Sequence, residues 1–373
     1  MDRYQKKFIL KDLNKKLVFL TGPRQVGKTW LAQDIAASFP NSVYLNYDHV
    51  KDRKIITAQT WLDDTDLLIL DEIHKMPGWK NMVKGIFDTR PPAMKILVTG
   101  SARLDAFAAG GDSMAGRFFK HRLLPFSPAE LSLINQPVDM EKLLVHGGFP
   151  EPFLEDDPVE TNRWRMQYID GLIRTDILDF EKIHDFKAIS LVFELLRSRV
   201  GSPVSYTSIA GDADISPNTV KKYIRIFESL YIVFRTAPYS KNIARSILKE
   251  PKIYFFDTGM VAGDAGIKFE NLVAVSLLKH VYALNDYLGK PSTLHYLRTK
   301  DKAKVDFCIA GSRGPELMIE VKLSDPSPAR SLVNFNKRYH TPGIQLVKNL
   351  KQEQKAGPIE IRNGLKYLTS LML

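Results

Sequence analysis

Short apolar runs alternate with stretches of helical period in the N-terminal part of the chain. The runs predict buried strands, at residues 17–20, 42–46, 66–70, 95–99 and 122–124. A helix is predicted over residues 28–37, directly after the first run. Strands that alternate with helices in this way form a parallel sheet with helical crossovers. Residues 1–130 are therefore predicted to form an α/β domain.

The pattern becomes helical after three prolines, Pro125, Pro128 and Pro137. Helices are predicted at residues 164–179, 187–199 and 206–211. Ser216 is a good N-cap and Pro217 a good first residue for a further helix, which we expect to end near Leu230. A strand follows at residues 231–236. Helix, turn, capped helix and strand predict a winged helix-turn-helix within a helical domain, residues 131–250.

The remaining segment, residues 251–373, mixes strand and helix patterns. Residues 252–259 are predicted to form a strand that runs into a turn, and a buried helix is predicted at residues 269–278. Further strands are predicted at residues 293–298, 304–310 and 317–322. A helical run from Ala329 and a strand near residues 345–347 follow. The pattern predicts a third domain of α/β class.

Composition and net charge indicate a class of partner and a cellular compartment. The chain has 373 residues, a net charge of +11 and a single cysteine, Cys308. One cysteine cannot form an internal disulfide and suits a reducing cytoplasm. No apolar stretch is long enough to span a membrane. The basic charge favours a polyanion such as nucleic acid, although many basic proteins only bind nucleotide or stay soluble.

A glycine-rich loop joins the first predicted strand to its helix. Its sequence is G-x-x-x-x-G-K-T, the pattern of a phosphate-binding loop. Backbone N–H groups and the helix N-terminus would face a triphosphate, with Lys28 on the β- and γ-phosphates of ATP and Thr29 on Mg²⁺. The residues predicted to bind the nucleotide are Gly22, Pro23, Arg24, Gln25, Val26, Gly27, Lys28 and Thr29.

Two acids follow the third predicted strand. Asp71 at the carboxyl end of a strand beside the loop is predicted to hold Mg²⁺, and Glu72 to act as the base for the attacking water. Such a pair can also simply cap the next helix. The phosphate-binding loop upstream favours the catalytic interpretation.

Further polar residues are candidates for the same site. Ser101, and next Thr99, could contact the γ-phosphate, the role called sensor 1; capping of the following helix is the alternative. Arg117 is the first candidate for an arginine finger supplied to a neighbouring subunit, with Arg103 and Arg24 as competitors. The alternative is that these arginines are simply solvated, as most arginines are.

Polar residues of the capped helix would face away from its apolar side. They are Asn218, Lys221, Lys222 and Arg225. In a winged helix this helix enters the DNA major groove, so these side chains are candidates for contacts with phosphates or base edges. Docking of a protein or of another subunit is the alternative.

Carboxylates oppose each other in the predicted C-terminal hairpin. A turn symmetrical about Arg313 would pair Asp306 with Glu320, and like charges there destabilise a hairpin by roughly 0.2–1 kcal/mol. A second Mg²⁺ or Mn²⁺ would offset the repulsion. Solvation, with Lys322 neutralising the pair, is the alternative.

The ordered motifs resemble a large bacterial and archaeal group of AAA-type ATPases. Members join an AAA domain of the AAA_14 type to a C-terminal domain of unknown function, DUF4143. The resemblance spans essentially the whole chain and implies an ATPase that works as a homo-oligomer. It is carried by residues 22–29, 70–74 (LDEIH), 99–101 (TGS), 115–117 (AGR) and 124–130 (LPFSPAE).

The third segment also resembles restriction-endonuclease-like nucleases of the PD-(D/E)XK fold. Asp306 followed by Glu320-Val-Lys322 matches their signature, and Glu270 matches an acid on their first helix. The resemblance implies metal binding by Asp306, Glu320 and Glu270, and a water-positioning role for Lys322. Such folds also persist as inactive binding domains. The sequence thus leaves three functions open: an ATPase, an ATP-gated nuclease and a non-catalytic ATP switch.

Overall fold

A computed structural model describes residues 3–100, 114–172, 174, 185–240, 250–299 and 303–373. The chain divides into two compact units, Met1–Leu124 and Pro125–Leu373. The first compact unit ends at Leu124, and the domain boundary predicted at residue 130 stays a prediction. The predicted division of the remainder at residue 250 stays a prediction, because both of its parts lie in the second unit.

The first unit contains a five-stranded parallel sheet with strand order β2-β3-β4-β1-β5. Its strands are β1 (Leu17–Thr21), β2 (Ser42–Asn46), β3 (Leu67–Asp71), β4 (Lys95–Thr99) and β5 (Phe118–Arg122). The helices described in this unit are α1 (Lys6–Leu13), α2 (Lys28–Ala36), α3 (Val50–Ala58) and α4 (Trp79–Thr89). This is the predicted α/β architecture, with β4 beside the strand that precedes the glycine-rich loop and β3 next to β4.

Burial explains why β1, β3 and β4 are predictable from the sequence. Every residue of β1 and β3 is buried, which produces a continuous apolar run. The predicted position of the fifth strand, residues 122–124, is wrong. It is the polar segment Phe118–Arg122 that pairs with β1, while the buried Leu123 and Leu124 follow it.

The second unit begins with helices. They are α5 (Pro128–Leu133), α6 (Met140–His146), α7 (Pro150–Glu155), α8 (Pro158–Gly171), α9 (Phe186–Arg197), α10 (Tyr206–Ala213) and α11 (Pro217–Ser229). The Ser216 side chain accepts a hydrogen bond from Thr219 N, so the predicted cap of α11 is present. The helix predicted over residues 164–179 is α8, which begins earlier; residues 175–179 lie outside the described part.

Strands and the longest helix make up the rest of this unit. Strands β6 (Val233–Thr236) and β7 (Lys252–Phe255) form an antiparallel pair. A six-stranded mixed sheet follows, in the order β12-β13-β11-β10-β9-β8. Its strands are β8 (Ser292–Arg298), β9 (Lys304–Gly311), β10 (Gly314–Lys322), β11 (Gly343–Val347), β12 (Gln354–Ala356) and β13 (Ile359–Asn363). The accompanying helices are α12 (Ala265–Leu288), α13 (Arg330–Tyr339) and α14 (Gly364–Thr369).

Helix α12 is longer than the ten residues predicted, because Asp264 caps its first turn and Gly289 ends it in a left-handed conformation. Its Lys279 is buried and its ammonium contacts the carboxylate of Glu130, which is also fully buried. The same ammonium donates to the carbonyl of Pro125 at 3.0 Å. Because removing one partner of a buried pair leaves an uncompensated charge, this contact ties α5 firmly to α12.

The backbone between α6 and α7 packs closely against the carboxylate of Asp257, which follows β7. Buried Asp257 lies 3.5 Å from Arg165 Nε. A Cβ on Gly147 would lie 1.6 Å from Asp257 Oδ1, and one on Gly259 1.8 Å from an Arg165 nitrogen. Gly147 also has φ +75°. The pair therefore requires glycine on both sides of it.

Across the described ranges, every helix is too short or too polar to cross a membrane.

Candidate functional site

The glycine-rich loop connects β1 to α2 in a conformation that only glycine allows at two positions. Gly22 has φ +148°, and a Cβ there would lie 2.1 Å from the carbonyl oxygen of Leu123. Gly27, directly before α2, has φ +94°. Gln25 also has a positive φ, of 57°. The loop thus brings its backbone around the N-terminus of α2, the geometry that suits phosphate.

Lys28 lies inside this loop. Its side chain is buried, and Nζ donates to the carbonyl oxygens of Gly22 at 3.1 Å and Pro23 at 2.6 Å. Arg3 supports the loop from the N-terminal segment, donating to the carbonyl of Val26 at 2.9 Å and that of Leu124 at 2.6 Å. Sequence reasoning missed Arg3, because no spacing relates it to the loop.

The carboxylate of Asp71 contacts Thr29 at the end of the loop. Its Oδ2 accepts from Thr29 Oγ1 at 3.1 Å and from the Tyr44 hydroxyl at 2.5 Å. Its Oδ1 accepts from Glu72 N at 3.0 Å and from the hydroxyl of Thr99. A carboxylate and a hydroxyl in contact are hard oxygen ligands that fit Mg²⁺.

Tyr44 was also missed in the sequence. It lies on β2, whose parallel register places Asn46 beside Asp71 and Tyr44 two residues earlier. Burial, reinforced by the hydrogen bond to Asp71, raises the pKa of the Tyr44 hydroxyl well above its usual value. The signal that could have found it was the alignment of β2 with β3, had the register been known.

Glu72 has the backbone conformation φ 55°, ψ 20°, which is uncommon for this residue type. It precedes a short 3₁₀ turn, Ile73–Lys75, but its side chain makes no capping hydrogen bond there. The carboxylate lies 3.4 Å from Lys75 Nζ and 3.7 Å from His74 Nε2. Burial raises the pKa of Glu72, while the charge of Lys75 opposes the shift.

The other residues predicted for this site have different positions. Ser101 and Arg103 lie outside the described residues. Thr99 is described, and it contacts Asp71. Arg117 makes a bidentate pair with Asp88, at 2.8 and 3.2 Å, and this hydrogen bonding lowers the pKa of Asp88. Arg24 is half-buried within the loop itself.

The polar residues predicted on the capped helix lie on one exposed face of α11. Asn218, Lys221, Lys222 and Arg225 are all exposed. The opposite face, with Val220, Ile224 and Phe227, is buried. Lys221 Nζ lies 5.6 Å from the centroid of the Tyr206 ring on α10. The order α10, α11, β6, β7 gives two helices followed by an antiparallel pair of strands.

The three predicted metal-ligating carboxylates of the second unit lie close together, in what we call the acidic cluster: Glu270, Asp306 and Glu320. The β9–β10 register pairs Phe307 with Ile319. Continued by one residue, the same register would pair Asp306 with Glu320, and Val321 N donates to Asp306 Oδ2 at 3.1 Å. However, Lys252 Nζ lies 3.0 Å from Glu270 Oε1 and 3.0 Å from Asp306 Oδ1. The Tyr254 hydroxyl donates to Glu270 at 2.7 Å.

Glu320 is the third carboxylate of the acidic cluster, and the half-buried Lys322 lies beside it. Lys322 Nζ donates to Glu320 Oε1 at 2.8 Å. Burial and the charge of Asp306 raise the pKa of Glu320 to about 7. Within the described segments, Glu320 Oε2 is buried without a hydrogen-bond partner, and no group of three or more His, Cys, Asp or Glu side chains is arranged to hold a metal ion.

Lys252 and Tyr254 were not singled out from the sequence, where they are part of an apparent strand, K-I-Y-F. Every residue of that strand is buried. A buried lysine needs a paired carboxylate, so the only available signal was a charged residue opening an otherwise apolar strand.

Comparison with known families gives three matches along the chain. Residues 14–132 match the family model of an AAA domain. Residues 138–270 match a domain of unknown function, DUF8612, and residues 265–366 another, DUF4143. The resemblance carried by the motifs is confirmed for the AAA and DUF4143 segments. With the loop geometry, the first match supports an AAA-type domain at residues 14–132.

Two similar proteins are each named as uncharacterized. The uncharacterized protein Rv2008c of Mycobacterium tuberculosis is 24% identical over 323 residues, covering 85% of this chain and 72% of that protein. The uncharacterized protein MJ1544 of Methanocaldococcus jannaschii is 24% identical over 367 residues, covering 88% and 80%.

Solved structures of low similarity include a RuvB variant from Thermotoga maritima, with TM-score 0.33 and 17% identity, covering 62% of this chain and 88% of that one. Another is the Aeropyrum pernix ORC1 protein in complex with DNA, with TM-score 0.35 and 13% identity, covering 74% and 93%. No statement about function follows from likeness at this level.

Proposed function

We propose that this protein is a Mg²⁺-dependent ATPase of the AAA type that acts on nucleic acid, with DNA as the first candidate. The observation that carries the proposal is the hydrogen bond between Thr29 Oγ1 and Asp71 Oδ2, at 3.1 Å. It brings the end of a phosphate-binding loop and an acid at a strand terminus into one site, which is what Mg²⁺-dependent phosphoryl transfer needs.

The loop binds the triphosphate through backbone N–H groups at the start of α2. Lys28 exchanges its two carbonyl partners for oxygens of the β- and γ-phosphates. Thr29 and Asp71 would hold Mg²⁺, which when bound neutralises charge on the phosphate oxygens. Thr99 and the backbone N–H of Glu72 fix the Asp71 carboxylate in place.

Glu72 accepts the proton of the attacking water in this proposal. Its raised pKa makes it a better proton acceptor than an exposed glutamate. Lys75, at 3.4 Å, holds the carboxylate at the strand end. Ser101 remains the predicted contact to the γ-phosphate, with Thr99 now better placed to orient Asp71.

Assembly into a homo-oligomer would let Arg117 reach a neighbouring nucleotide. Its guanidinium is partly exposed, with a relative side-chain accessibility of 31%. To act as an arginine finger it must leave Asp88, and an ion pair at the surface opposes this only weakly, because water solvates both charges once they separate. The pairing is therefore compatible with that role.

Nucleic acid is assigned to the second unit, through the exposed face of α11. The helix is capped at Ser216, has three basic residues on its exposed side and is followed by the β6–β7 pair. This order supports a winged helix-turn-helix. The adjoining α12, β8, β9 and β10 follow the order of a nuclease-like fold and support a binding role beside it.

The ATPase is tested by phosphate release from Mg-ATP. Lys28→Ala is expected to lose ATP binding and turnover together. Glu72→Gln should keep ATP binding and lose turnover by about 10²–10⁴-fold, the range for a general base. Lys54→Ala, at an exposed position on α3, is the matched lysine control and should behave as wild type.

Turnover at the wild-type rate in both site variants would overturn the assignment. Tight ATP binding without turnover in the wild-type chain would instead favour an ATP-dependent switch.

A further inference from the structure

Lys252 is a buried cation at the centre of the acidic cluster. Its side chain is fully inaccessible to solvent, and Nζ lies 3.0 Å from oxygens of both Glu270 and Asp306. Aromatic rings surround the ammonium, with the Tyr296 and Phe307 centroids at 5.7 and 5.8 Å. A buried charge of this kind is stable only where carboxylates pair with it.

We infer that Lys252 is the resident cation of the acidic cluster, and that Glu270, Asp306 and Glu320 hold no divalent metal. The second unit is then a metal-independent domain that keeps the layout of a metal site around an ammonium group. The second unit would then not cleave nucleic acid with metal-activated water, and a binding role remains.

The oxygen atoms of Asp306 carry this inference, because both are already engaged. Oδ1 accepts from Lys252 at 3.0 Å and Oδ2 accepts from the backbone N–H of Val321 at 3.1 Å. A Mg²⁺ ion needs oxygens at about 2.0–2.1 Å in near-octahedral geometry. An ion bridging Asp306 and Glu270 would have to displace the ammonium that lies against both.

Glu270 is enclosed in a similar way. Its Oε1 accepts from both Lys252 and the Tyr254 hydroxyl. On another side, the backbone at Gly201 approaches so closely that a Cβ there would lie 2.8–2.9 Å from the carboxylate atoms. These neighbours leave little space for the hydration shell that Mg²⁺ usually keeps.

Charge balance agrees with the geometry. Lys252 and Lys322 contribute positive charges against the three carboxylates. The Lys252 ammonium lies 3.0 Å from oxygens of both Glu270 and Asp306. A divalent ion would therefore meet an ammonium rather than a set of unpaired carboxylates.

The experiment is a Mn²⁺ titration of the full chain, followed by electron paramagnetic resonance of free Mn²⁺. An Asp71→Asn background removes the metal-holding carboxylate of the first unit. We expect this variant to show no saturable Mn²⁺ binding. Adding Lys252→Met should create one Mn²⁺ site, and Lys252→Arg, which keeps a cation, should create none.

Mn²⁺ bound by the Asp71→Asn chain and released on adding Asp306→Asn would overturn the inference. So would a folded Lys252→Met variant that gains no site. If Lys252→Met does not fold, the Asp71→Asn and Asp306→Asn comparison still decides. Because the titration contains no nucleotide, its outcome is independent of whether the first unit hydrolyses ATP.

Discussion

The carboxylate of Asp71 accepts hydrogen bonds from four donors at the end of the parallel sheet. Thr99 of β4 and the N–H of Glu72 hold Oδ1, while Thr29 of α2 and Tyr44 of β2 share Oδ2. The two oxygens therefore have different tasks. Oδ1 fixes the orientation of the carboxylate, and Oδ2 faces Thr29, which would share Mg²⁺ with Asp71.

Tyr44→Phe tests this division. The hydroxyl, at 2.5 Å, draws electron density from the oxygen that faces Thr29. Without it we expect half-maximal ATP turnover at a Mg²⁺ concentration lower by about threefold to tenfold, the effect of one hydrogen bond of about 1 kcal/mol. Tyr47→Phe, a tyrosine just after β2, is the control and should leave the Mg²⁺ dependence unchanged. A higher Mg²⁺ requirement in Tyr44→Phe would show that the hydroxyl positions Asp71 instead.

Residues of the candidate nucleotide site can be proposed from the sequence where one local motif contains them. Lys28 and Thr29 follow from the spacing of a single loop, and Asp71 from its place after an apolar strand. Tyr44 reaches Asp71 across 27 residues of sequence, and Lys252 reaches Asp306 across 54. Those contacts depend on which strands become neighbours, and the sequence pattern contains no information on strand order.

Elements are predictable for a related reason. A cap such as Ser216 and a buried run such as β3 are encoded within a few residues, so the predictions place α11 and β3 well. Helices α5 to α7 are short, and the prolines among them suggest only a break in structure. Distant partners hold two of them: Lys279 pairs with Glu130 of α5, and Arg165 donates to the carbonyl of Val145 in α6.

The junction between α6 and α7 gives a prediction at this scale. Gly147→Ala places a Cβ against the buried Asp257 carboxylate in a left-handed backbone, and displacing a buried ion pair costs about 3–5 kcal/mol. Gly289→Ala, at the end of α12, also has a positive φ but nothing within 4 Å of the added Cβ. It should cost only about 1–2 kcal/mol, the backbone effect alone.

Urea unfolding of the full chain, with hydrogen exchange of the segment Thr258–Met260, measures both changes. Gly147→Ala should lower the urea midpoint more and should expose that segment selectively. Equal destabilisation in the two variants would mean that the clash with Asp257 adds nothing to the backbone strain.

At the scale of the whole molecule, the net charge of +11 allows two explanations of any nucleic-acid binding. A diffuse positive field would attract DNA wherever the surface is basic. A recognition face on α11 would instead localise the binding. Total charge cannot distinguish these explanations, but the structure offers two exposed basic pairs in the second unit, Lys221 with Lys222 on α11 and Lys337 with Arg338 on α13.

Replacing either pair by alanine removes two positive charges. The two double variants therefore distinguish attraction by the overall positive field from binding at the exposed face of α11. We expect the change on α11 to weaken binding of a labelled DNA duplex and to reduce the slope of log K against log salt by about 1 for each phosphate that is no longer neutralised. The change on α13 should leave both quantities near their wild-type values. Fluorescence anisotropy over a series of salt concentrations measures them. Equal weakening by the two variants would show that the overall field, and not α11, attracts the DNA.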